Sequence, residues 1–178
     1  MAVNVSRRQM RSVSLVRDVS SIVSSAGIAP GDLKLKITEG TIMENPEQGT
    51  KILQDLRDRG VKVAIDDFGT GYSSLASLHS LPLDSLKIDQ SFVSRMTGAG
   101  DNLAIVRTIL KLAESFGFDV IAEGIETEDQ HNMLTSSMHC DYGQGYLYAP
   151  PLPADRAAEL LSESHTWDFQ NSLIGGGI

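Results

Sequence analysis

Charged and amide side chains stand at the ends of several apolar, strand-like runs of this sequence. Two adjacent carboxylates, Asp66 and Asp67, follow the run at 61–65, and Glu123 follows the run at 118–122. In parallel α/β folds the carboxyl ends of the strands meet at one edge, which holds the active site. Paired carboxylates joined by a third suit oxygen-binding cations such as Mg²⁺ or Mn²⁺. The pattern predicts a divalent-ion site, and further polar groups follow the same kind of run, namely Glu39, Lys87, Asp89, Glu126 and Gln144.

The elements that must bring these groups together alternate between strands and helices. Six strand-like runs begin near residues 3, 33, 61, 85, 118 and 140, and helical patterns separate them. This alternation is typical of parallel strands joined by crossover helices. A closed eight-stranded barrel needs at least ~200 residues, whereas this chain has 178. The sequence therefore predicts an α/β fold, either an open doubly wound sheet or an incomplete barrel with about six βα units.

Local capping signals mark the ends of the predicted helices. Gly27 closes the first long helix, and the pair Asn45-Pro46 places an N-cap residue before a proline at the first helical position. Thr127, with Gln130 three residues later, forms a capping box that opens another helix. The most regular apolar stripe predicts a helix over 101–116.

The composition restricts the class of protein and its partners. The 178 residues include 23 acidic and 15 basic side chains, and the net charge of −8 repels nucleic acids and anionic membranes. No run reaches the ~18 apolar residues of a membrane span. The single cysteine, Cys140, excludes an internal disulfide and fits a reducing compartment. We therefore expect a cytoplasmic protein without a nucleic-acid partner and without membrane insertion.

Five segments in order along the chain carry a family resemblance. The most specific is Asp-Asp-Phe-Gly-Thr-Gly-Tyr-Ser-Ser-Leu at 66–75, in which two acids precede a glycine loop whose backbone can approach a ligand. Together the segments resemble the EAL domain of bacterial cyclic-di-GMP phosphodiesterases, from residue 1 to about residue 160. The other four segments are Val3-Asn4-Val5-Ser6, Leu86-Lys87-Ile88-Asp89, Ala122-Glu123-Gly124-Ile125-Glu126 and Gln144-Gly145-Tyr146-Leu147.

The resemblance implies a modified TIM-like barrel that hydrolyses the cyclic dinucleotide to the linear one with two Mg²⁺ or Mn²⁺ ions. By resemblance, Asn4 and Asp66 belong to one metal site, and Asp66, Asp67 and Glu123 belong to the other. A metal pair generates hydroxide and stabilises both oxygens of an in-line displacement. The ions would also neutralise ligand phosphates that an acidic protein otherwise repels.

The same resemblance implies supporting roles for other residues. Lys87 is expected near the attacking water and the phosphate, and Gln144 is expected to hold the water network of the metals. Glu39 is expected to anchor the glycine loop, while Asp89 and Glu126 are further candidate site residues.

The sequence departs from the family pattern at two places. The name-giving Glu-Ala-Leu motif is absent, so we expect a domain over 1–165 that lacks its first two strands, with a flexible tail at 166–178. The second departure is Lys36, which stands where the family has a metal-binding glutamate. Three carboxylates and this one lysine leave a local charge of −2. We expect its ammonium within salt-bridge reach of Asp66 or Asp67, and we expect divalent ions to bind weakly or not at all.

These departures predict a catalytically inactive domain of cyclic-di-GMP signalling that acts through protein contacts or weak nucleotide sensing. One alternative is a fragment of an active, metal-dependent phosphodiesterase, and another is a purely structural remnant. A first strand at Val3–Val5 would leave unpaired backbone groups at an open sheet edge, which proteins normally cover. A homodimer or a protein partner is therefore expected at that edge.

Overall fold

The computed structural model describes residues 1–71, 75–97 and 101–162. The predicted tail at 166–178 lies outside these residues, as do positions 72–74 of the glycine-loop segment. In the described ranges, no helix combines the length and the apolarity needed to span a membrane.

The described residues form a six-stranded parallel sheet in which the spatial order of the strands equals their order in the chain. Successive crossovers of one hand therefore advance in one direction, which places the helices on one face and curls the sheet like part of a barrel wall. A doubly wound sheet requires a reversal of strand order, so that predicted alternative is wrong and the incomplete TIM-like barrel is confirmed. The strands are β1 Ala2–Asn4, β2 Lys34–Thr38, β3 Lys62–Phe68, β4 Ser85–Ile88, β5 Asp119–Glu123 and β6 Tyr142–Gln144.

Helices follow the strands, as the alternation in the sequence predicted. Asn45 caps one helix by accepting a hydrogen bond from the backbone N–H of Gln48 at 3.3 Å, and Thr127 and Gln130 form the predicted capping box. The α-helices are α1 Arg7–Met10, α2 Leu15–Ala26, α3 Glu39–Met43, α4 Pro46–Arg57, α5 Leu75–Ser80, α6 Gln90–Val93, α7 Asn102–Phe116, α8 Glu128–Asn132 and α9 Ala154–Ser162. A short 3₁₀ helix spans Pro30–Asp32, and a π-helical turn spans Met133–Ser137.

The central strands are buried on both faces. Val63, Ala64 and Ile65 of β3 are fully buried, and so are Leu86 and Ile88 of β4. Helix α4 packs on β3, and α7 packs on β4 and β5. Because the packed core holds these strands rigidly, the polar residues at their carboxyl ends have a fixed backbone frame.

The two outer strands differ from their predicted bounds. β6 begins at Tyr142 instead of Cys140, because Asp141 uses its carboxylate to accept the backbone N–H of Val120 at 2.8 Å. The strand therefore starts later, and Gln144 ends it instead of following it. At the other edge β1 stops at Asn4, and Val5 lies beyond the strand as a buried core residue.

Candidate functional site

A bulge in β3 turns two neighbouring aspartates towards the same region. Successive side chains of a regular strand point to opposite faces. Here the register between β3 and β4 shifts between Ile65 and Phe68, which brackets Asp66 and Asp67. Asp67 has a φ of 53°, in the left-handed region that aspartate adopts more readily than most residues. Bulges of this kind re-aim side chains and are common beside active sites.

Glu123, the last residue of β5, joins the two aspartates in a carboxylate cluster. One oxygen atom from each of Asp66, Asp67 and Glu123 lies within 4.8 Å of the others. Burial raises the pKa of the Asp67 carboxyl, and the charges of Asp66 and Asp89 raise it further against the weaker effect of two nearby lysines. Carboxylates held this close repel one another, so the cluster requires positive charge nearby.

The ammonium of Lys87 supplies part of that charge from β4. Its side chain is 3% exposed and its Nζ lies 2.9 Å from Asp66 Oδ1. Nζ also donates a short hydrogen bond to Glu123 Oε1. Burial alone lowers the pKa of Lys87, but its contacts with Glu123 and Asp66 outweigh burial and raise it. Lys87 is therefore a charged counter-ion of the cluster at neutral pH.

Lys36 brings a second ammonium from the neighbouring strand β2. Leu35 and Ile37, on either side of it, are buried at 3% and 0% exposure, and strand alternation turns Lys36 to the opposite face. Lys36 Nζ lies 3.3 Å from Asp66 Oδ2, so the expected ion pair is present. The local charge of −2 expected from the sequence counted Lys36 but not Lys87. With two ammoniums facing three carboxylates, the local charge is −1.

Glu39, the first residue of α3, lies against the glycine loop that follows β3. The residue is 3% exposed, and the backbone N–H of Gly69 donates to its Oε2 at 3.4 Å. A Cβ atom at Gly71 would lie 2.5 Å from Glu39 Oε1. A glycine at position 71 therefore lets the loop approach the buried carboxylate closely, which is the geometry that an anchoring role requires.

Asn4, the other predicted metal ligand, lies on the edge strand β1. It is exposed at the end of β1, where its register partner is Lys36 of β2. Because β2 lies between β1 and β3, Lys36 stands between Asn4 and the strand that carries Asp66. The structure thus brings Asp66, Asp67, Lys87 and Glu123 together, with Lys36 on the side towards Asn4.

An open cleft of about 610 Å³ adjoins the cluster, and Asp67 and Glu123 form part of its lining. Three more predicted residues line it, and among the lining residues that were not predicted, Gln90 and Tyr146 have polar side chains. Gln90 directly follows the family-like segment at 86–89, and Tyr146 lies within the one at 144–147, so their proximity to these segments could have indicated them. The side chain of Tyr146 is 69% exposed. The three predicted lining residues are Asp89, Glu126 and Gln144.

Comparison with known proteins identifies the family. The sequence model of the EAL domain matches residues 1–151. This chain belongs to the EAL domain family. A relative from Pseudomonas aeruginosa, the cyclic di-GMP phosphodiesterase NbdA, is 41% identical over 161 residues, which cover 90% of this chain and 20% of NbdA. The EAL chain therefore spans about a fifth of the length of the curated relative it matches.

Solved EAL structures share the fold of the chain. The phosphodiesterase PaMucR in complex with c-di-GMP is 38% identical with a TM-score of 0.84, over 88% of this chain and 63% of that one. The EAL domain of Mycobacterium smegmatis DcpA is 39% identical with a TM-score of 0.87, over 93% and 74% of the respective chains. The chain is thus an EAL domain of a cyclic-di-GMP signalling family, and its described residues form part of a barrel.

Metal dependence in the family is visible in a more distant structure. Klebsiella pneumoniae BlrP1 in complex with manganese and cyclic-di-GMP is 32% identical with a TM-score of 0.77, over 84% of this chain and 38% of that one.

The carboxylate cluster fits one divalent ion. Asp66 Oδ1 is buried beside the Lys87 ammonium at 2.9 Å, and one oxygen of Asp66 lies within 4.8 Å of oxygens of Asp67 and Glu123. Three carboxylates of this kind are an oxygen donor set that suits Mg²⁺ or Mn²⁺. The other oxygen of Asp66, Oδ2, lies 3.3 Å from the Lys36 ammonium, which repels a cation on that side.

Proposed function

We propose that this EAL domain recognises cyclic-di-GMP but does not hydrolyse it. The observation that carries this proposal is the 3.3 Å contact between Lys36 Nζ and Asp66 Oδ2. Two-metal hydrolysis of a phosphodiester requires one ion at the attacking oxygen and another at the leaving oxygen. An ammonium beside Asp66 repels a second ion, and it cannot act as a Lewis acid that generates hydroxide.

Ligand recognition in this proposal depends on the single-ion cluster and the adjoining cleft. A phosphodiester anion is repelled by the overall charge of −8 and by the acidic lining of the cleft. One Mg²⁺ or Mn²⁺ among Asp66, Asp67 and Glu123 would offset that repulsion. The exposed ring of Tyr146 offers a surface for base stacking. We therefore expect weak, metal-assisted binding of the dinucleotide.

Calorimetric titration with cyclic-di-GMP, in Mg²⁺ and separately in EDTA, tests recognition. The expected result is saturable binding in Mg²⁺ and binding weaker by about tenfold or more in EDTA, because the cation neutralises phosphate charge. Chromatography of the nucleotide after long incubation tests hydrolysis. Linear product should not exceed that of a Glu123→Ala control. Metal-dependent turnover above this control, or absence of binding in both buffers, contradicts the proposal.

A second candidate function is phosphodiesterase activity as part of a longer protein. The observation that favours it is the convergence of Asp66, Asp67, Lys87 and Glu123 at one sheet edge. The test is hydrolysis by a longer protein that includes upstream sequence, compared with its Lys36→Glu variant. Activity of the longer protein with Lys36 in place supports this candidate. Activity only in the Lys36→Glu variant supports the inactive domain.

We also propose that a second copy of the chain covers an open edge of the sheet. β1 and β6 are the edges of the described sheet, and Val3 on β1 and Tyr142 on β6 are 40% and 56% exposed. Exposed parallel edges with apolar side chains are normally covered. Light scattering over a range of concentrations should show a dimer, and a Val3→Lys variant should be more monomeric. A monomer at high concentration contradicts this.

We place the domain in the cytoplasm. Its one cysteine, Cys140, is a free thiol, and free thiols persist in reducing compartments. Fusion to a reporter that fluoresces only in the cytoplasm tests this placement.

A further inference from the structure

Two lysines from different strands hold the two oxygens of one aspartate. Lys87 of β4 lies 2.9 Å from Asp66 Oδ1, and Lys36 of β2 lies 3.3 Å from Asp66 Oδ2. The Asp66 side chain is 13% exposed, so neither contact is a screened surface pair. Each carboxylate oxygen of Asp66 is therefore paired with a lysine from a different strand, and the two lysines have different neighbours.

The surroundings of the two ammoniums differ in the number of carboxylates. On the side of Lys87, Asp67 and Glu123 converge with Asp66. On the side of Lys36, the only carboxylate contact within the described part of the chain is Asp66 itself. A divalent ion can compete with Lys87 because three carboxylates attract it there, whereas one carboxylate oxygen cannot outweigh the repulsion from Lys36.

We propose that Lys36 is a built-in counter-cation that limits this EAL chain to one divalent ion, bound by Asp66, Asp67 and Glu123. This inference deepens the proposed function and shares its premise that Lys36 replaces a metal ion. It assigns the ion stoichiometry of the chain, which neither the fold nor the family membership determines.

The backbone frame explains why Lys36 holds its position. Its neighbours Leu35 and Ile37 are packed in the core, and its strand pairs with β1 and β3 on both sides. The Cα of Lys36 cannot shift without disturbing both ladders, so its side chain starts from a fixed point beside Asp66. A substitution at position 36 therefore changes the charge at Oδ2 with little change in the backbone.

The experiment is titration of the 178-residue chain with MnCl₂, followed by calorimetry and by the loss of the free Mn²⁺ paramagnetic resonance signal. The wild type should bind one Mn²⁺ per chain. Lys36→Glu, which adds a carboxylate beside Asp66, should bind two. Lys62→Glu makes the same charge change at an exposed residue of β3, and it should still bind one. Melting curves verify that each variant is folded.

Lys36→Gln keeps the experiment decisive if Lys36→Glu does not fold. It removes the ammonium without adding a ligand, so the stoichiometry should stay at one while the affinity for the first Mn²⁺ rises about tenfold. Two ions or none in the wild type, one ion in folded Lys36→Glu, or an unchanged affinity in Lys36→Gln overturns the inference. Hydrolysis of cyclic-di-GMP by a chain holding one ion would instead overturn the proposed function and leave the single-ion site intact.

Discussion

Asp66 and Asp67 are consecutive in the chain, yet one carboxylate oxygen of each lies within 4.8 Å of the other. In a regular strand their side chains would point to opposite faces. The bulge between Ile65 and Phe68 and the left-handed backbone of Asp67 bring them to the same side. This arrangement concentrates negative charge, which attracts cations and causes repulsion between the carboxylates when no cation is bound.

Asp67→Asn should stabilise the folded chain in EDTA at neutral pH, raising Tm by roughly 2 °C. Asparagine keeps the left-handed backbone conformation of the wild type. The variant also removes a carboxylate whose pKa is raised by burial and by the charges of Asp66 and Asp89. The gain is small because Asp67 is only half-buried and water screens its charge. Calorimetry in EDTA measures it, and Asp67→Ala, which disfavours the left-handed backbone, should gain less.

The difference in Tm between Asp67→Asn and the wild type should depend on pH in a predictable direction. The pKa of the Asp67 carboxyl is higher in the folded chain than its unfolded value of 3.8, so its protonation stabilises the fold, and this stabilisation is fully present below pH 3.8. That contribution is lost as pH rises through the folded value. The gap in Tm between Asp67→Asn and the wild type should therefore widen from acid towards neutral pH. A gap that is constant with pH contradicts the assignment of the repulsion to Asp67.

Lys36→Met should lower the free energy of unfolding by about 1–2 kcal/mol in metal-free buffer. Methionine retains the apolar stem of the lysine but leaves Asp66 with one ammonium instead of two. Chemical denaturation in EDTA and in Mg²⁺ measures the effect, and Mg²⁺ should partly restore stability because it binds only the folded state. The matched control is Lys62→Met at an exposed position, expected within about 0.5 kcal/mol of wild type. Equal stability of Lys36→Met and wild type in EDTA argues against the ion pair.

Gly145→Ala should destabilise the chain by roughly 2–3 kcal/mol and weaken nucleotide binding at the adjoining cleft. A Cβ atom at this position would overlap the backbone O, N and C atoms of Ile125. The same backbone accepts the N–H of Leu147 at 3.0 Å, which closes the turn after β6. At Gly31 a Cβ atom meets only Gly60 O at 3.9 Å, so Gly31→Ala is the control. Thermal melts of both variants make the comparison, and similar melting points would contradict the steric argument.

Cys140 should react slowly with thiol reagents in the folded chain. Burial raises the pKa of its thiol, so less thiolate is present near pH 8 than in a free cysteine. The sulfur also donates to the backbone O of Tyr142 at 3.4 Å. Reaction with a chromogenic disulfide reagent should be about tenfold slower than for glutathione at the same pH. Concentrated guanidinium chloride should abolish the difference, and fast reaction of the folded chain would contradict the raised pKa.

The local features of this protein follow from its sequence. The capping box of Thr127 and Gln130 and the N-cap at Asn45 were predicted because their hydrogen bonds join residues within three positions. The βα alternation indicated parallel strands, and parallel strands place polar residues at a common edge. The expected ion pair between Lys36 and Asp66 is also present, because strand alternation turns Lys36 away from the buried face of Leu35 and Ile37.

The tertiary structure decided how these groups meet. Strand order, which distinguishes a barrel wall from a doubly wound sheet, depends on packing between elements far apart in sequence. The bulge at Asp66 and Asp67 has no local signal, because it arises from the register of β3 against β4. The position of Lys87 between Asp66 and Glu123 combines three strands, and so changes the charge balance from −2 to −1. The packed core fixes the strands that carry these side chains, so residues far apart in the sequence form one cluster with a local charge of −1.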